Sequence, residues 1–170
     1  MARAFWKPTA ASASTPSRNA YMPKLVEQQQ LCDNRWQVLD DQQPIPPSHY
    51  LLPLARWLAA REIAADGAPF GVIIDGDQPL EELAPTLAEL PLIAIHFAKF
   101  ADGRGFSTAR LLRGRYGYRG ELRACGDIFR DQLFFLQRCG FDSFELPDEA
   151  DQSWLQSLHD FTVSYQAAAR

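Results

Sequence analysis

His96 is the residue of this chain best suited to moving a proton. It falls near the end of an apolar run over residues 91–97, and an imidazole titrates near neutrality, so at a strand end it could serve as general acid or base. A core histidine bonded to a backbone carbonyl is the structural alternative. Lys99 and Arg104 follow within one loop, where the Gly103-Arg104-Gly105 turn ahead of a helix leaves backbone donors open to an anion. An ordinary loop capped by Asp102 or Ser107 accounts for the same residues. Arg123, a further candidate to hold the anion, lies inside a strand-like stretch and would need a partner, for which Glu145 on a neighbouring strand is the natural choice. The run Asp127-Ile128-Phe129-Arg130-Asp131-Gln132 opens a helix directly after a strand and a glycine. Asp127 could cap that helix or orient a catalytic partner, Arg130 could help hold an anion, and Arg130 with Asp131 could form a structural salt bridge. Asp75, Asp77 and Asp127 could bind magnesium if they converge, although no spacing demands a metal. Cys125 at a strand end is a nucleophile or inert core.

These side chains gain meaning only if the fold brings them together. Apolar runs at residues 70–75, 91–97, 121–125 and 143–146 read as strands, and helical patterns follow at 79 onward, 107–116 and 127–139, the last stopped by Gly140. Ser153 to Gln156 fits a capping box ahead of a final helix. Four consecutive βα units predict a parallel sheet with right-handed crossovers, half-barrel-like, with an open flavodoxin-like sheet as the alternative. Arg123 and Glu145 on strand interiors favour the barrel-like form, whose mouth tolerates paired charges. In such folds ligands bind beyond the carboxyl ends of the strands, where the nominated residues lie. Upstream, residues 24–27 and 36–39 predict a short N-terminal hairpin, three prolines over 42–47 a linker, and Ser48 the start of a helix reaching residue 62.

With 170 residues and 46% hydrophobic content, the chain suits one α/β domain, taken as residues 22–170, behind an acid-free, Ala/Ser/Thr/Pro-rich extension over 1–21 expected to be disordered. The net charge of −4 and the lack of a binding motif argue against nucleic acid, and no apolar run approaches the roughly 20 residues of a membrane span. Cys32, Cys125 and Cys139 are too few for a cluster site and odd in number, which places the chain in a reducing cytoplasm. No nucleotide, flavin or iron–sulfur motif is present. Between Lys99 and Arg138, nine basic residues face four acidic ones, a +5 segment in a −4 chain, suited to meeting an acidic protein face or an oxyanion. Solvated helix-face charges, Arg110 and Arg113 among them, are the plain alternative.

The stretches FADGRGFS, ARLLRGRYGYRGELRACGD and FRDQLFFLQRCGFDSFEL resemble the bacterial domain of unknown function 934, and Met22-Pro23-Lys24-Leu25 is similar to that family's usual start. The resemblance implies a place beside assimilatory sulfite reductase, with its haemoprotein subunit or another sulfate-assimilation enzyme as partner, and some members carry an oxidoreductase label. Asp102, Gly103, Arg104, Gly105, Phe106, Ser107, Arg123, Gly126, Asp127, Arg130, Asp131 and Gln132 are the motif positions it nominates as candidates. The leading expectation is therefore a cytoplasmic accessory protein of sulfite reduction that docks a partner or binds an oxyanion through the basic segment. The rival is a small barrel-like enzyme acting on a phosphate- or carboxylate-bearing metabolite, with His96 as acid or base. Either could operate as a homo-oligomer, the half-barrel pairing with a second copy.

Overall fold

The computed structural model describes residues 24–39, 49–60 and 70–160. Within them, eight strands form one sheet: β1 (Lys24–Glu27), β2 (Gln30–Asp33), β3 (Gln37–Val38), β4 (Tyr50–Pro53), β5 (Phe70–Asp75), β6 (Leu92–Phe97), β7 (Glu121–Gly126) and β8 (Ser143–Leu146). The order is β2-β1-β8-β7-β6-β5-β4-β3. From β3 to β8 each strand lies parallel to the next in sequence, whereas β1 pairs antiparallel with both β8 and β2. The sheet is thus mixed, which corrects the expectation of a purely parallel one. The two-residue link from β1 to β2 can close only an antiparallel pair, since a parallel one needs a crossover. The expectation of four parallel strands is also too low, because β3 and β4 extend the parallel part to six.

The chain itself forces this sheet to curl. β2 and β3 occupy opposite edges, and seven strand spacings of ~4.8 Å would separate them by about 34 Å if the sheet were flat. Only residues 34–36 join them, and four Cα steps from Asp33 to Gln37 reach at most ~15 Å. The sheet therefore bends until its edges approach, giving a curled, half-barrel-like form in which residues 34–36 cross the gap. An open flavodoxin-like sheet, whose strand order reverses at a switch point, does not have this order.

Local sequence explains most of the remaining differences. Residues 50–53, expected in a helix, form β4 instead, because Tyr50, Leu51 and Leu52 are almost fully buried, as a strand covered on both faces requires. The helix α1 is confined to Leu54–Ala60, and Ser48, the proline-rich linker and residues 61–62 lie outside the described residues. The hairpin is β1–β2 rather than a pairing with residues 36–39, which form the far edge. Its turn places Gln28 and Gln29 at φ +49° and +63°, a left-handed pair that Asn-Gly normally fills and that costs non-glycine residues about 1 kcal/mol each. The β5–β6 connection is a 3-10 segment, Ala84–Glu89, with proline in its first turn, where a helix was expected from residue 79. Helix α2 (Arg104–Gly114) begins before Ser107, while residues 127–139 yield a 3-10 turn, Arg130–Gln132, and then α3 (Leu133–Cys139), ended by Gly140 at φ +106°. Ser153 sits inside α4 (Ser153–Gln156) rather than capping it, and Asp151 accepts its backbone N–H.

Alternation along the strands divides the side chains between two faces. Val72, Ile74, Ile93, Ile95 and Leu122 point outward into the main core, beneath Leu83, Ala109, Leu112, Leu133 and Leu136. Leu51, Leu92, Ala94 and Cys125 point into the curl, with Trp36, Val38 and Ile73 packed against them. The concave side is therefore filled with side chains.

Candidate functional site

At the carboxyl ends of the central strands, Asp75 closes β5 and stands opposite His96 of β6 in the parallel register. Their side chains meet, His96 Nδ1 lying 2.9 Å from Asp75 Oδ1. The histidine is largely covered and the aspartate half exposed, with side-chain exposures of 12% and 46%. A carboxylate on Nδ1 fixes the ring tautomer and orientation. Gly126, at φ +93°, makes room for the ring: a Cβ there would fall 2.7 Å from His96 Cδ2 and 3.0 Å from Nε2. Cys125 lies opposite His96 on β7 and bonds only weakly, through its Sγ, to the Ile95 carbonyl at 3.6 Å. Burial pushes its thiol well above its ordinary value, with Glu145 adding to the shift, which suits inert core better than a nucleophile. Burial likewise raises the Glu145 carboxyl, against the opposing pull of Arg123 and His96.

Below this layer Arg123 is 1% exposed, and each of its three guanidinium nitrogens has a partner. Its guanidinium donates to Glu121 at 2.7 and 3.1 Å, to Ser143 Oγ at 3.2 Å and to Asn34 Oδ1 at 3.0 Å, and it lies 5.8 Å from the centre of the Trp36 ring. Glu121 is the ion-pair partner, not Glu145 as the sequence suggests. Asn34 links Arg123 to Glu145, accepting from the guanidinium through Oδ1 and donating from Nδ2 to Glu145 Oε2 at 3.3 Å. Arg123 therefore acts as a strut between the strands and the 34–36 segment.

The other motif residues lie above, in distinct clusters. Arg104 makes two ion pairs, one with Asp102, reached from Nε at 2.8 Å, and one with Asp77 at 2.9 Å. The Arg104 hydrogen bonds hold the Asp102 carboxyl down to about 2. Asp102 also accepts the Arg104 backbone N–H at 3.1 Å. Asp127 does not cap a helix; its carboxylate accepts the Phe100 N–H at 3.1 Å. Gln132 Nε2 donates to the Phe100 carbonyl at 2.9 Å, and its Oε1 accepts the Phe129 N–H at 3.0 Å. The two loops are thereby sewn together, presenting Phe100 and Phe129 edge-to-face at 5.1 Å with 54% and 46% of their surfaces exposed. Arg130 turns toward the last described helix, donating to Ser157 Oγ at 2.7 Å and Ser153 Oγ at 3.4 Å, and makes no ion pair with Asp131. Lys99, Ser107 and Asp131 are exposed.

The nominated residues thus fall into separate groups: His96 with Asp75, Arg104 with two carboxylates, Asp127 with Gln132 around Phe100, and Arg123 within the curl. Asp75, Asp77 and Asp127 have different partners, and no group of three metal-ligating side chains occurs among the described residues. The basic segment is dispersed, and Arg113, far from solvated, is buried, donating to the carbonyls of Tyr118, Gly120 and Gly140 and paired with Asp142. Two clefts open toward the amino ends of the strands instead, one of about 830 Å3 bordered by Arg119 and Arg138, the other of about 560 Å3 bordered by Trp36, His49 and Arg123. Neither is lined by His96, Arg104 or Asp127.

Sequence reasoning named Asp75 and His96 without joining them, although both close adjacent strands. It overlooked Phe100 and Phe129, whose one signal is an aromatic residue inside a polar loop, and Asn34, for which the sequence offers none. No helix among the described residues is long and apolar enough to cross a membrane. A family model described as Bacterial protein of unknown function (DUF934) matches residues 71–170. In comparison with curated proteins, none matches.

Proposed function

The chain belongs to the bacterial DUF934 family, proteins of unknown function, and on that footing we propose that it is an accessory protein of assimilatory sulfite reduction that docks a partner protein with its carboxyl-end rim. The pathway comes from the motif resemblance, which implies the haemoprotein subunit of sulfite reductase or a neighbouring sulfate-assimilation enzyme as partner. The observation that carries the docking role is the Phe100–Phe129 pair. Two aromatic rings left half exposed on clamped loops lose little conformational entropy when covered, which is the character of an interface anchor. Oxyanion binding by Arg104 and Arg123 has less support, since each already spends its donors on carboxylates or neutral partners.

A Phe100→Ala/Phe129→Ala variant tests the reading, because both rings are exposed and the fold should survive. It should stop growth on sulfate, leave growth on cysteine intact and lose co-purification of the haemoprotein subunit. Full growth on sulfate would overturn it. One observation favours the rival enzyme, acting on an anionic metabolite: the 2.9 Å contact between Asp75 and His96 at the strand ends. If His96→Asn rather than the aromatic variant abolishes growth on sulfate while the partner still co-purifies, the enzyme reading replaces the docking one.

A further inference from the structure

We infer that the larger amino-end cleft binds an organic phosphate, a doubly charged phosphate group joined to an apolar body. It lies at the opposite end of the sheet from the aromatic rim and does not depend on the docking role. The cleft encloses about 830 Å3, within the range of sites for small organic molecules. Three of its charged residues are already engaged, Arg113 with Asp142 and Glu121 with Arg123. Arg119 and Arg138 line the same cleft and form no salt bridge among the described residues, which leaves two guanidiniums against the single carboxylate of Glu27. Two forked donors match a dianion better than a monoanion. Phe134 supplies an apolar wall, with the Arg138 guanidinium 5.6 Å from its ring centre, and Phe144 and Leu158 line the cleft as well.

The hairpin turn supplies a separate observation. Gln28 and Gln29 both hold left-handed backbone that glycine or asparagine adopts at lower cost, and both border this cleft. Strained, non-glycine positions concentrate where a side chain is needed, and two amides at the mouth of an arginine-lined cleft suit phosphate oxygens.

Titration calorimetry with phenyl phosphate as probe, and with benzoate and inorganic phosphate beside it, tests the assignment on the full chain. Phenyl phosphate should bind at least fivefold more tightly than either comparison anion. Arg119→Ala and Arg138→Ala should each weaken it about tenfold. The paired turn variant Gln28→Asn/Gln29→Gly should raise the melting temperature while weakening the probe, a combination that a purely structural turn would not produce. Absence of phenyl phosphate binding at millimolar concentration would overturn the inference. Equal binding of benzoate, or unchanged affinity in the arginine variants or the turn variant, would do the same.

Discussion

A buried guanidinium is tolerated only when its donors are met, and Arg123 is met by Glu121 on its own strand, Ser143 on β8 and Asn34 between β2 and β3. The sequence makes the need for a partner legible, since an arginine inside an apolar strand demands one, but it points to Glu145. Asn34 is separated from Arg123 by 89 positions, so no periodicity links them. Among the described residues Glu145 is left with one long hydrogen bond, and burial raises its carboxyl. The folded state therefore keeps a proton that the unfolded chain releases near the ordinary value of 4.5. Stability attributable to this group falls as pH rises from there through the raised native value, while below it both states are protonated and nothing is lost. Glu145→Gln removes the charge and keeps an acceptor for Asn34. Urea unfolding should find the variant more stable than the parent at pH 8, by an amount that shrinks toward zero at pH 4. A difference independent of pH would show that Glu145 is not protonated more readily in the fold.

Among the elements, the loops after β6 and β7 show how a motif divides its work. Asp127 suggested capping or catalysis by its type and Gln132 entered only as a motif position, yet both address the backbone of Phe100. A carboxylate and an amide are as suited to holding a loop as to chemistry, and only the spatial approach of two loops decides between them. Removing Asp127 with Ala leaves the Phe100 N–H to water, a loss of about 1 kcal/mol in an exposed setting. Amide exchange at Phe100 should then accelerate about fivefold, with global stability nearly unchanged. Gln132→Ala should speed exchange at Phe129, whose N–H it accepts, and less so at Phe100. Exchange at Phe100 unaltered by Asp127→Ala would remove the clamp from the account of the rim. The strands of this region were readable because each is an apolar run between turn signals. The β5–β6 connection was misread because Pro79 and the following glutamates open a helix convincingly, while Pro85, in the first turn of the 3-10 segment, is as compatible with that tighter helix.

At the level of the whole molecule, charge along the sequence and charge in space part company. Helix α2 is about 16 Å long, so Arg104 at its start belongs to the carboxyl-end rim and Arg113 near its end to the opposite side, while Arg123 enters the curl. A +5 segment becomes several unconnected sites for that reason. The half-barrel form, by contrast, was partly legible, because buried charges on neighbouring strands signal a lined interior; its closure was not, since it depends on where the two edges end. That closure also sets how much chain the fold requires. The family match covers 71–170, yet the inner face of β5–β8 is covered by Trp36 and Leu51, and Arg123 is satisfied in part by Asn34, all upstream of the match. A chain beginning at residue 70 would expose that face and the edge of β8 that β1 now pairs, leaving Arg123 short of a partner and an apolar strand edge open. Such a fragment should unfold in urea without a cooperative transition and should associate at micromolar concentration, while the full chain shows a single transition. A fragment that stays monomeric and unfolds as sharply as the full chain would mean that the β5–β8 core is self-sufficient and the upstream strands only decorate it.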